Sequence, residues 1–89
     1  MWPYKEKMKN YAVADMQLSV RSSNGLRRAG IDNLGKLFDV ISEDGGLRNI
    51  RNLGAKSETE ITVCFFNTCY SLLDDFEKAM WWQEGIINR

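Results

Sequence analysis

The chain has 89 residues, 44% of them hydrophobic, which is enough for one small domain with a core of its own. Twelve basic and twelve acidic residues cancel, so bulk charge carries no nucleic-acid signature. There is no histidine, and no apolar run approaches the roughly twenty residues needed to span a membrane, so the usual zinc sites and a spanning helix are both excluded.

Residues 1–15 read as a polar lead-in. Trp2 and Tyr4 are set among lysines without clear periodicity, and the apolar stretch of a signal peptide is missing. Ser19 is a good N-cap for a helix over 20–29 whose main apolar residue is Leu26. Gly30 suits the left-handed position that closes such a helix, with Ile31 supplying the hydrophobic contact after it. Asp32 is expected to cap a short helix over 33–40, where Leu34, Leu37, Phe38 and Ile41 fall at helical spacing. Ser42 is expected to begin another element, weakened by Gly45-Gly46 and carrying Leu47 and Ile50 inward.

The polar turn at Asn52-Leu53-Gly54 follows, its glycine supplying backbone freedom. Ser57 stands three residues before Glu60, the spacing of a capping box, so the last helix is expected to start near Ser57. A helix start beside a turn directs free amide protons outward, a ready place for an anion such as a backbone phosphate. Ile61, Phe65, Cys69, Leu72, Phe76 and Met80 then recur at intervals of three and four, which predicts one long amphipathic helix ending near Gly85. The β-prone run Thr62-Val63-Cys64-Phe65-Phe66 would also suit a strand, but the length of the helical period decides for helix. The expected fold is all-α: a compact domain of four to five helices with an extended C-terminal helix.

Two thiols complete the reactive inventory. Cys64 and Cys69 lie five apart on different faces of the expected helix, beyond disulfide reach, and read as small core residues of a cytosolic protein. A histidine-free sequence with no glycine-rich phosphate loop and no nucleophile motif points away from an enzyme, and no cofactor or metal is expected. Charge is distributed unevenly. Residues 19–60 hold seven basic and six acidic side chains, whereas the segment beyond Glu60 holds two and four.

Two separated motifs carry a family resemblance. They are Leu18-Ser19-Val20-Arg21-Ser22-Ser23-Asn24-Gly25-Leu26-Arg27-Arg28-Ala29-Gly30-Ile31 and Ile50-Arg51-Asn52-Leu53-Gly54-Ala55-Lys56-Ser57-Glu58-Thr59-Glu60-Ile61, with Leu34 and Leu37 between them. The protein resembles the C-terminal domain of the bacterial RNA polymerase alpha subunit over about half its length, residues 16–61. That resemblance implies helix-hairpin-helix-like turns and a non-catalytic role, contacting the minor groove of A·T-rich upstream promoter DNA and transcription factors. It implies a cytoplasmic, nucleoid-associated protein.

The resemblance also assigns individual positions. The groove-entering arginine falls on Arg21 and its neighbouring asparagine on Asn24. The turn glycine falls on Gly54, the phosphate-facing lysine on Lys56, the helix-start serine on Ser57 and a further polar contact on Glu60. The residue chemistry agrees. A guanidinium suits the enhanced negative potential of a narrow A-tract groove, and asparagine can donate to the A N3 and T O2 acceptors. Glu60 would repel phosphate, so its expected task is to cap or orient Arg21 or Ser57.

The sequence departs from the family in four places. Only Asp15 remains of an acidic patch ahead of the first helix, the Gly45-Gly46 region is one residue longer than usual, and Ala55 stands where a second lysine is common. The last helix also runs long and apolar. The resulting layout is a lead-in over 1–15, the family-like domain over 16–66 and a helical extension over 67–89. The extension either packs back on the domain, against Trp2, Tyr4 and Tyr11, or presents a partner surface of Phe76, Met80, Trp81 and Trp82, for a homodimer or another protein. A protein-interaction module of the same fold that has lost DNA binding is the competing function. With the family's large assembly domain missing from it, the sequence is expected to be either an excised fragment or a free-standing relative.

Overall fold

The computed structural model describes residues 2–87. Its regular elements are four α-helices: α1 (Val20–Arg28), α2 (Leu34–Ser42), α3 (Ala55–Leu72) and α4 (Asp75–Ile87). Short 3-10 turns at Glu6–Met8, Val13–Asp15 and Gly46–Asn49 connect them. Among the described residues there is no strand, only an isolated antiparallel bridge between Ala12 and Asn33.

Local chemistry sets the helix ends. The Ser19 side chain accepts from the Ser22 N–H and opens α1. At the other end Gly30 takes φ +76°, and the Gly30 and Ile31 amides donate to the Arg27 and Leu26 carbonyls, the paired bonds that close a helix with a left-handed glycine. The start of α2 lies one residue later than the sequence suggests. Asn33 accepts from the Lys36 N–H at 2.9 Å, while Asp32, expected as the cap, pairs instead with Lys36 Nζ at 3.0 Å. Ser42 ends α2 and begins nothing, because Glu43 is extended and left-handed Gly45 delays the next turn until Gly46.

Two larger corrections concern the C-terminal half. The long helix is broken: Leu73 is extended at φ −72°, ψ 143°, and α4 starts afresh beyond it. The cause is a reciprocal cap. The Asp74 N–H donates to Glu77 Oε1 at 3.0 Å, and the Glu77 N–H donates to Asp74 Oδ1 at 2.7 Å. Gly85 does not end the last helix either, since α4 runs to Ile87; a glycine lowers helix propensity without forbidding the helix. The rest of the expected tail, residues 88 and 89, lies outside the described residues.

The core is built on α3. Ile61, Phe65 and Cys69 form its fully buried stripe and meet Leu26, Leu34, Leu37 and Leu47 from the earlier elements. Burial pushes the Cys69 thiol up to about 12, so it stays neutral and behaves as a small apolar group. The lead-in is part of this core. Met8 and Val13 are buried, Trp2 meets Phe65 edge-on at 5.3 Å, and Tyr4 stacks on Phe38 at 4.2 Å. Backbone bonds from Gly35 to Lys9 and from Leu34 to Tyr11 tie it to the start of α2.

Gly35 permits that close approach. A Cβ there would stand 2.9 Å from the Lys9 Cβ and 3.2 Å from its carbonyl oxygen. A Gly35→Val protein is therefore expected to lose about 2 kcal/mol or more, with a melting temperature lower by roughly 8 °C, because the lead-in must move away. A thermal melt followed by circular dichroism measures it.

Candidate nucleic-acid interface

Arg21 and Asn24 lie three residues apart on α1, one turn along the helix. Arg21 is exposed, whereas Asn24 is half-buried and lines an open groove of about 460 Å³ with Ser23, Arg27, Leu18 and Val20. The turn before α3 rests against this helix. Leu53 Cδ1 would be only 2.8 Å from a Cβ built on Gly25, so the bare glycine beside Asn24 lets the turn seat on α1.

Within the turn the left-handed residue is Asn52, at φ 64°. Gly54, to which the sequence assigned that freedom, is extended at φ −74°, ψ 164°, and acts as the N-cap of α3. This end has no side-chain cap, and the first backbone bond is from the Glu58 N–H to the Gly54 carbonyl. The amides of Ala55, Lys56 and Ser57 thus precede the first closed turn. A Cβ on Gly54 would meet nothing within 4 Å, so this helix start opens onto free space. Lys56 is exposed beside it.

The expected capping box does not form. Ser57 is the third residue of α3 and only 5% exposed, and Glu60 turns away from it toward α1. Its carboxylate accepts from the Ser19 N–H at 3.1 Å, from Ser19 Oγ at 2.8 Å and from Ser22 Oγ. Ser22 is fully buried, so the carboxylate satisfies a hydroxyl that water cannot reach. These bonds, the Ser22 hydroxyl first, hold the Glu60 carboxyl below the usual glutamate range. Distance in sequence hid this link, because the partners stand 38 and 41 residues upstream.

Charge around this end is uncommitted. Among the described residues the ion pairs are Lys7–Glu77, Lys9–Glu6, Lys36–Asp32 and Arg48–Glu58. Arg21, Arg27, Arg28, Arg51 and Lys56 are exposed and belong to none of them. No group of three or more His, Cys, Asp or Glu side chains among the described residues is placed to hold a metal ion. Among the same residues no helix is long and apolar enough to cross a membrane.

The four C-terminal residues singled out from sequence divide into two sets. Trp81 is half-buried, edge-on to Phe66 at 5.5 Å and to Tyr70 at 5.8 Å, so α4 packs back on α3. Phe66 in turn lies 6.3 Å from Trp2. Phe76, Met80 and Trp82 stay exposed, although the Trp82 indole N–H donates to Tyr70 Oη at 2.7 Å.

Three carboxyls sit below their usual range: Glu60 by its serine partners, Glu77 chiefly by its bond to Lys7, and Asp32 chiefly by its bond to Lys36. A depressed carboxyl contributes stability that is present above its unfolded pKa and lost as pH falls through the folded one. Melting temperature is therefore expected to be flat near neutrality and to drop below about pH 4.5. A Glu60→Gln/Glu77→Gln protein should show a shallower acid limb in the same scan.

Residues 3–65 match the family described as the C-terminal domain of the bacterial RNA polymerase alpha chain. Among curated proteins, the sequence is 39% identical over 71 residues to a DNA-directed RNA polymerase subunit alpha from Oceanobacillus iheyensis, covering 80% of this protein and 22% of that one. The subunit from Carboxydothermus hydrogenoformans is 44% identical over 57 residues, covering 64% and 18%. That from Rubrobacter xylanophilus is 49% identical over 49 residues, covering 55% and 15%. The protein thus spans about a fifth of the length of the relatives it matches. No solved structure matches it. An all-α fold in which α1 and the turn before α3 meet, together with a match over residues 3–65, establishes that this protein belongs to the family of C-terminal domains of the bacterial RNA polymerase alpha subunit.

Proposed function

We propose that this domain is a non-catalytic transcription module that binds the minor groove of A·T-rich duplex DNA. Arg21 enters the groove, Asn24 donates to base acceptors on its floor, and Lys56 with the amides after Gly54 holds the sugar-phosphate backbone. The observation that carries this reading is the junction of α1 with the uncapped start of α3, where exposed arginines and Lys56 stand without acidic partners among the described residues. Ser57 contributes through its backbone amide, its side chain being buried. Cytoplasmic RNA polymerase and its transcription factors are the partners that family membership suggests.

A fluorescence titration of A·T-rich and G·C-rich duplexes at several salt concentrations tests the reading. Preference for the A·T-rich duplex is expected, with a log–log salt slope of about −2 to −4 for some two to four neutralised phosphates. Equal affinity for both duplexes would overturn it.

One observation favours a second reading, a protein-interaction module. Phe76 is 73% exposed and Trp82 57% exposed on α4, an apolar surface that suits a protein partner or a second copy of the domain. Sedimentation that finds a monomer, with no loss of partner capture on removing residues 73–89, would count against it.

A further inference from the structure

We propose that α4 is an exchangeable arm: two copies of this domain pair by trading it, each seating its α4 on the other's α3. The inference rests on the second-copy form of the protein-interaction reading above and gives it a mechanism; it does not depend on DNA binding. Only Leu73 and Asp74 separate α3 from α4. Leu73 has φ −72°, already a helical value, so its departure from helix lies in ψ, at 143°. Apolar residues keep helical spacing across the gap, with Cys69 and Leu72 on one side and Phe76 and Met80 on the other. Backbone and sequence pattern are therefore both compatible with a single helix over residues 55–87, about 50 Å long.

The reciprocal bonds between Asp74 and Glu77 hold the break. Against them, a joined helix would give the amides of Asp74, Asp75 and Phe76 carbonyl acceptors one turn back. A lone copy nevertheless stays folded back. Straightening would lift Trp81 off Phe66 and Tyr70, Trp82 off the Tyr70 hydroxyl and Glu77 off Lys7, leaving aromatic faces in water. Every one of those partners lies on α3 or the lead-in, outside the arm, so α4 of a second copy restores each contact. Trp81 reaches back to Phe66, so α4 runs back along α3. Two opened copies therefore meet with their long helices antiparallel about a two-fold axis, and the contact closes as a dimer. Phe76, 73% exposed in the single copy, is then carried into line with the stripe of Phe65, Cys69 and Leu72.

The experiment is sedimentation equilibrium over a concentration series, with carbodiimide cross-linking of a mixture of isotope-labelled and unlabelled protein. The reagent joins Lys7 Nζ to the Glu77 carboxylate, which lie 2.6 Å apart, and mass spectrometry reads whether the two belong to one copy or to two. A wild-type dimer is expected, with Lys7–Glu77 cross-links that pair a labelled half with an unlabelled one. Asp74→Ala removes a cap from each of two closed copies and is expected to tighten the dimer about tenfold or more. Asp75→Pro is expected to be a monomer with the circular dichroism spectrum of wild type. Proline suits the first position of α4, but within a joined helix it would remove a backbone bond and clash with the preceding turn.

A dimer whose cross-links all fall within one copy would overturn the exchange and leave the second-copy reading standing. A monomer for both wild type and Asp74→Ala would overturn the two together. Dimerisation of Asp75→Pro equal to that of wild type would overturn the proposal as well, because no joined helix would then be needed.

Discussion

Arg21→Ala is expected to remove most of the affinity for A·T-rich DNA while leaving the fold intact. The side chain is exposed on α1 and makes no ion pair with any described residue, so the folded state loses almost nothing. Surface substitutions of this kind usually stay within about 0.5 kcal/mol of wild type. In the bound state the loss is larger. A groove-inserted arginine contributes about 1–3 kcal/mol, roughly a fivefold to 150-fold change in affinity. Side-by-side titration and thermal melting of the two proteins measure both quantities. A variant that binds like wild type would place the groove contact elsewhere, with Arg27 and Arg28 the next candidates.

The second large effect is structural. Phe65→Ala is expected to leave little folded protein at 37 °C. Phe65 is fully buried in the central stripe of α3, and its ring meets Trp2 at 5.3 Å, Tyr4 at 6.2 Å and Phe38 at 6.4 Å. Removing a buried phenylalanine costs about 3–5 kcal/mol in lost burial and cavity formation. A domain of this size holds only about 4–13 kcal/mol in all. The same ring joins the lead-in to α2, so its loss also loosens Trp2, while Tyr4 keeps its stack on Phe38 at 4.2 Å. Urea denaturation followed by tryptophan fluorescence reads the midpoint. A shift corresponding to less than about 1 kcal/mol would mean that neighbouring rings collapse into the space.

Features written in neighbouring residues were legible in the sequence. The start and end of α1 followed from Ser19 and Gly30, whose partners lie within five residues. The stripe of Ile61, Phe65 and Cys69 followed from its period. Features written across the chain were not legible. Ser57 and Glu60 fit the spacing of a capping box, yet two serines at the start of another helix compete for the carboxylate and win. The requirement at Gly35 comes from Lys9, far upstream, and nothing local marks it. The break at Leu73 was hidden for a different reason. Apolar residues keep helical spacing on both sides of it, so periodicity alone reads straight through, although Asp74 and Glu77 stand at cap spacing. At the candidate site, residue identities came from the resemblance, whereas the burial of Ser57 and the direction of Glu60 needed the fold.

The break after Leu72 also explains how a protein of zero net charge can present an attractive face to a polyanion. α3 has 18 residues, so its two ends lie about 27 Å apart. Lys56 and the α1 arginines occupy the near end, while Asp74 and Asp75 begin α4 at the far end, with Glu77 already joined to Lys7. Salt at physiological strength screens charge over about 8 Å, so that separation exceeds three screening lengths. The far acids balance the total without reaching the phosphates. The molecule is neutral as a sum and polar as an object, and the proposed attraction to DNA would be set at one end of α3 while the compensating acids stand at the other.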